Sequence, residues 1–312
     1  MNYREREYEF VAIDNESFGG YIRMPSLVTK FFIKANVKKI RKMMGGVSQD
    51  ISVRPIYIED RNIKGYNSDF RIRLYKPEGD AKRPLMVFMH GGGWIGGSID
   101  AVHDYCKAVA DQADCVVLSV DYHLAPEAPF PEGLEDSYAA VKWGVEHAEE
   151  LNIDVDNVIV SGDSAGGNYS AIISILARDR TEFHISRQIL LYPATDLSVM
   201  ASDMTNKSER AFGEAILEMY LKKSKEPLDS PLVSPMHCQD HTKLPDALIV
   251  VGDLDFLKDS SLAYANKLKD AGNKVQFSLY KNTRHAFIDS TGNCKQAEDF
   301  IGEVNDFING RL

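Results

Sequence analysis

The chain has 312 residues, 44% hydrophobic and 26% charged, with 46 acidic against 36 basic side chains and a net charge of −10. That length suits one large α/β unit with an appendage, and the composition excludes a disordered protein. The acidic balance argues against a nucleic-acid partner or an anionic membrane surface, since both carry the same sign of charge.

The first twenty residues, MNYREREYEFVAIDNESFGG, place charges where a secretory signal needs an apolar core. No later run approaches the ~18 apolar residues of a membrane span. Cys106, Cys115, Cys238 and Cys294 show no C-x-x-C spacing, which suits reduced thiols and a cytoplasmic protein. The stretch MPSLVTKFFIKANVKKIRKMMGG alternates apolar and basic positions at helical spacing. It reads as an amphipathic helix packed on its own protein, within an N-terminal segment of residues 1–50 that differs in kind from the strand-and-helix domain of 51–312.

VRPIYI (53–58) and DFRIRLY (69–75) read as a hairpin at the antiparallel edge of a sheet. From residue 84 the chain alternates short β-branched strands with helical periods. The strands are 84–90, 115–120, 157–162, 188–192, 247–252 and 275–280; the helices are 135–150, 166–179, 257–272 and 293–310. This alternation predicts a mostly parallel central sheet with helices on both faces. Residues 195–228 interrupt the strand rhythm with helical character and are expected to complete a cap begun by the N-terminal segment.

The strand at 84–90 breaks into HGGGWIGG, and two anions compete for so bare a backbone. Gly91, Gly93 and Gly96 spell G-x-G-x-x-G, a dinucleotide phosphate cradle, and Asp121 ends the next strand where a ribose-binding acid would lie. The same glycines also suit an oxyanion hole. The strand at 157–162 decides between them, because it runs into G-x-S-x-G as Gly162, Asp163, Ser164, Ala165 and Gly166 and a helix follows at once. Strand, serine and helix in that order make a nucleophile elbow.

A serine needs a base to take its proton and an acid to orient that base. His285 follows the elbow and lies in a loop just beyond a strand. VVGDLDFLKD follows another strand and offers Asp253, Asp255 and Asp259, among which the pattern alone does not choose. The order serine, acid, histidine is that of α/β hydrolases. The expected oxyanion donors are the amides of Gly91, Gly92 and Ala165. MHCQDH (236–241) brings His237, Cys238, Asp240 and His241 close together, but without the ligand spacing of a structural zinc element; no metal is expected.

HGGGW (90–94), DYHLAPEAPFPEGLEDSYAAVKW (121–143), GDSAGGN (162–168), SPLVSP (230–235), VVGDLDFLKD (250–259) and RHAF (284–287) together resemble the hormone-sensitive-lipase-like, or bacterial family IV, esterases of the α/β-hydrolase superfamily. The resemblance spans roughly residues 70–310. It implies an α/β-hydrolase fold with a helical cap, a carboxylesterase that needs no cofactor, and a preference for short acyl chains. It also implies that Asp255 is the acid for Ser164 and His285, and that His90 holds the glycine loop. Trp94 and Phe287 are candidates for the substrate pocket. His123 stands where the family usually carries arginine, which leaves the anchoring of that loop open. A small-molecule receptor of the same fold, or a deacetylase, lactonase or amidase, are the alternatives. A homodimer is compatible with the sequence but not specified by it.

Overall fold

A computed structural model describes residues 1–9, 26–42, 44–199 and 207–311. The elements in chain order are β1 (Asn2–Arg6), α1 (Ser26–Ala35), α2 (Val37–Arg41), β2 (Ile56–Lys64), β3 (Asp69–Pro77), β4 (Arg83–Met89), α3 (His103–Gln112), β5 (Val116–Asp121), α4 (Glu132–Glu146), α5 (Ala148–Leu151), β6 (Ile153–Asp163), α6 (Ala165–Arg180), β7 (Arg187–Leu191), α7 (Lys207–Tyr220), β8 (Asp246–Gly252), α8 (Lys258–Asp270), β9 (Val275–Tyr280) and α9 (Lys295–Ile308). Single turns of 3-10 helix occur at Pro235–His237 and Phe287–Ser290.

The strands form one sheet in the order β1-β9-β8-β7-β6-β4-β5-β3-β2. Pairing is parallel from β1 through β5 in that order, while β3 runs antiparallel to both β5 and β2. The hairpin expected from 53–58 and 69–75 is therefore the antiparallel edge, with its strands at 56–64 and 69–77 and residues 53–55 ahead of it. The expected strands and helices of the core all appear, with ends shifted by at most four residues and 275–280 matched at both ends.

Alternation along β4 shows why both faces must be covered. Leu85, Val87 and Met89 pack on one side with Leu134, Val141 and Ile172, while Met86 and Phe88 pack on the other with Tyr105, Val109, Tyr264 and Phe300. The central strands thus feed two apolar layers, and neither can be left to water; the edge strands β1 and β2 are largely exposed.

One element escaped the sequence reading. Residues 2–6, which the sequence grouped with a helical segment, pair in parallel with β9 at the edge of the sheet. Tyr3 stacks on Phe277, and Arg6 reaches the buried Glu303 at 2.7 Å. NYRER has too few apolar residues for its alternation to announce a strand; a neighbouring edge recruits it. Helix α3 is a lesser case: the sequence reads His103 as helical but sets no bounds, and the helix runs over His103–Gln112. In the N-terminal segment the expected helix lies at 26–41, broken near Asn36 into α1 and α2. Its first part, 24–25, lies outside the described residues, as do 200–206 of the region expected to complete the cap.

Candidate active site

The central strand β6 ends at Asp163, and α6 begins at Ala165. Ser164 between them has φ 53 and ψ −111, a conformation that L-residues rarely adopt. Surrounding packing enforces it. A Cβ on Gly166 would lie 1.8 Å from the Met89 carbonyl oxygen, and one on Gly162 would lie 2.4 Å from the Gly166 carbonyl carbon. Strand, turn and helix pass so closely that only glycine fits at either position, which leaves the serine projecting from the turn.

His285 arrives on the loop after β9. Its Nε2 lies 3.0 Å from Ser164 Oγ, and its Nδ1 lies 2.7 Å from Asp255 Oδ2. The three aspartates left open by the sequence have separate positions. Asp255 is buried, faces the imidazole, and accepts the Leu257 amide at 2.8 Å. Asp253 accepts the Thr283 amide at 3.3 Å and so secures the histidine loop. Asp259 faces outward beside Lys258. Burial alone would lower the His285 pKa; the charge of Asp255 and its hydrogen bond outweigh that and raise it. Tyr192 and Phe256 hold the imidazole between ring centroids 4.6 and 4.9 Å away.

The glycine loop requires one correction. The Gly91 amide donates to Asp163 Oδ1 at 2.6 Å, so it is already committed and is not free for an oxyanion. Gly92 (φ 117) and Gly93 (φ 61) carry the next two amides, which have no acceptor among the described residues. The Ala165 amide heads α6, where the first N–H groups of a helix lack intrahelical partners. Gly92, Gly93 and Ala165 are thus the available donors. The sequence missed Gly93 because three consecutive glycines give no internal clue to which amides the fold consumes.

His90 is buried, stacks on Tyr122 at 4.3 Å, and its Nδ1 lies 2.7 Å from the Gly91 carbonyl, the loop-holding position implied by the family resemblance. Phe287 does not line a pocket: it is fully buried against Tyr192, Tyr280 and Phe300, behind the histidine. Trp94 is likewise closed over, 2% exposed and stacked on Tyr220 of α7. Both aromatics belong to the packing around the site.

Asp163 is itself buried, and its pKa is pushed up to about 7 by burial first and then by the charge of Asp289. Asn168 of the same motif donates to the carbonyls of Ala194 and Val233 at 2.7 and 2.8 Å, fastening the SPLVSP stretch to α6. His123 is anchored without arginine. Its backbone amide donates to Asp136 Oδ2 at 3.1 Å, its Nδ1 lies 2.7 Å from the same oxygen, and its Nε2 lies 3.0 Å from Ser68 Oγ.

The alternatives lose their residues. Asp121 is paired with Arg71 at 3.0 Å, and the loop from Gly91 to Gly96 does not open a helix. In MHCQDH, His237 pairs with Asp196 at 3.1 Å and His241 Nε2 lies 3.0 Å from the Pro235 carbonyl. Among the described residues no group of three or more histidine, cysteine or acidic side chains is placed to hold a metal ion.

A parallel sheet with a strand–serine–helix elbow at its centre, a histidine loop after the last core strand and a glycine loop after β4 defines the α/β-hydrolase class. A family model described as the α/β-hydrolase fold matches residues 86–289. The carboxylic ester hydrolase LipN of Mycobacterium tuberculosis is 35% identical over 270 residues, which cover 82% of this chain and 69% of that protein. An arylesterase of Saccharolobus solfataricus is 33% identical over 251 residues, covering 78% and 81%. The structure of a hyperthermophilic esterase from the archaeon Pyrobaculum calidifontis superposes with a TM-score of 0.80 at 28% identity, covering 97% of this chain and 99% of that one. The chain belongs to the hormone-sensitive-lipase-like, family IV branch of the α/β hydrolases and is an enzyme of the carboxylesterase class.

Proposed function

We propose that the protein hydrolyses short-chain acyl esters through Ser164, His285 and Asp255. The observation that carries this is the continuous relay from Asp255 Oδ2 to His285 and on to Ser164 Oγ, at 2.7 and 3.0 Å. His285 Nε2 takes the hydroxyl proton as Ser164 Oγ bonds to the ester carbonyl carbon, and the carbonyl π electrons move to its oxygen. Gly92, Gly93 and Ala165 donate to that oxyanion. As the carbon–oxygen bond to the alcohol breaks, the imidazolium returns its proton to the leaving alkoxide. Water, deprotonated by His285, then attacks the acyl-serine, and the proton passes back to Ser164 as the acid departs. Asp255 keeps the Nδ1 proton in place throughout.

Short acyl chains are supported by the roof over the loop. Ile216 Cδ1 lies 3.1 Å from where a Gly93 Cβ would project, so α7 closes down on the oxyanion side. Of the cap expected from residues 1–50 and 195–228, α1, α2 and α7 fit the same packing, while residues 2–6 lie in the sheet instead. Lys30 pairs with Glu214 and, at 3.1 Å, with Glu218; Lys34 also pairs with Glu218, so α1 and α7 lie side by side. Among the described residues no helix is long and apolar enough to cross a membrane. The four thiols are unpaired, which supports a cytoplasmic setting.

The test is a series of chromogenic esters of rising acyl length with wild type and Ser164→Ala. Activity should be highest on acetyl to hexanoyl esters and abolished in the variant. A wild type inactive across the series while binding a small molecule tightly would favour a receptor, and undiminished activity in Ser164→Ala would end the serine mechanism.

A further inference from the structure

Arg41, the last residue of α2, directs its guanidinium toward the glycine loop. Nε donates to the Ile95 carbonyl, and Nη2 donates to the Ala125 carbonyl at 2.7 Å. The same fork meets Glu127 at 2.6 and 3.1 Å. Ile95 closes the outer half of the glycine loop, and Ala125 lies in the YHLAPE stretch, whose own amide at Ala125 donates back to the Trp94 carbonyl at 2.9 Å. One side chain from the N-terminal segment therefore ties together two loops beside the active site.

The outer half of the loop needs such a tie. Gly92, Gly93 and Trp94 have φ of 117, 61 and 60 in succession, and the left-handed region costs a tryptophan roughly 1–2 kcal/mol that only its surroundings can offset. The inner end is held by Gly91 on Asp163, and the turn is closed by the Ile95 and Gly96 amides on the Gly92 carbonyl at 3.2 and 3.0 Å. Neither contact fixes where the whole turn sits above Ser164. Arg41 holds the Ile95 end of the turn from the N-terminal segment, alongside Met44 packed against Gly96 and the Ala125 amide bonded to the Trp94 carbonyl.

We propose that Arg41 is a positioning residue for hydrolysis, holding the glycine loop so that the Gly92 and Gly93 amides face the Ser164 oxyanion. This rests on the oxyanion assignment above. The bridging of two carbonyls is the operative contact. The ion pair with Glu127 is minor, since Glu127 is 54% exposed and such pairs contribute little. A planar fork can span Ile95 and Ala125 together, and a lysine ammonium cannot.

The experiment compares Arg41→Lys, Arg41→Met, Arg41→Ala and Glu127→Gln with wild type on one short-chain ester, each checked by thermal midpoint. Displaced oxyanion donors cost about 10–100-fold in rate for shifts of an ångström or less. We expect kcat to fall by that factor in Arg41→Met and Arg41→Lys with KM nearly unchanged. Affinity for a trifluoromethyl ketone, which forms a tetrahedral adduct with the serine, should fall in parallel. Ethylguanidinium should restore part of kcat to Arg41→Ala, and Glu127→Gln should keep the wild-type rate. Full activity in a folded Arg41→Met, complete rescue by lysine, or a rise in KM alone would overturn the proposal. A wild type inactive on every ester, or an active Ser164→Ala, would instead remove the underlying mechanism, so the two failures are told apart.

Discussion

Asp163→Asn is the substitution whose consequence follows most directly from the electrostatics of the site. The wild-type carboxyl is 4% exposed and accepts the Gly91 amide; its pKa stands near 7 because burial, and then Asp289, oppose ionisation. An unfolded aspartate titrates near 3.9. Between those values the folded protein holds a proton that the unfolded chain has released, so folding stability falls as pH rises from about 4 through about 7. Three pKa units correspond to roughly 4 kcal/mol at most, and sharing of the proton with the Asp289 and His285 cluster makes the measured change on the order of a few kcal/mol. Asparagine keeps an oxygen for the Gly91 amide and cannot ionise. Urea denaturation at pH 5 and pH 8 should therefore show a loss of stability with rising pH in wild type, and a smaller loss in Asp163→Asn. Equal losses in the two proteins would refute the assignment of that slope to Asp163.

Other outcomes follow from the same geometry. Because hydrolysis needs a neutral imidazole and Asp255 raises the His285 pKa, kcat/KM should increase with pH through a value above the ordinary ~6.5 for histidine. Asp255→Asn should lower kcat by about 10⁴-fold and move the residual profile to lower pH, whereas Asp259→Asn, facing outward, should leave both unchanged. Gly166→Ala drives a methyl into the Met89 carbonyl. It should cost more stability than the 1–3 kcal/mol of ordinary overpacking and reduce kcat by shifting the elbow, as read by denaturation and ester turnover.

The sequence by itself determined the sheet and the strand–serine–helix elbow at its centre. Buried parallel strands must be apolar on both faces, so PLMVFMH and ALIVV announce themselves, and the elbow's glycines are written where no Cβ fits. It also singled out His285 as the histidine to meet Ser164 by chain order, because loops at the carboxyl ends of parallel strands meet above the sheet. Distances between side chains distant in sequence were decided only by the tertiary structure. Which of three aspartates meets the histidine and which of three glycine amides Asp163 consumes depend on segments 30 to more than 100 residues apart coming into contact, and Phe287 is core because Tyr192, 95 residues away, packs on it with Tyr280 and Phe300. The same holds for β1, whose polar residues form a strand because β9 offers an edge, and for Arg41, whose partners at Ile95 and Ala125 lie 54 and 84 residues away. Local periodicity records what a residue does for its own element; hydrogen bonds between elements exist only once the sheet has brought the loops together.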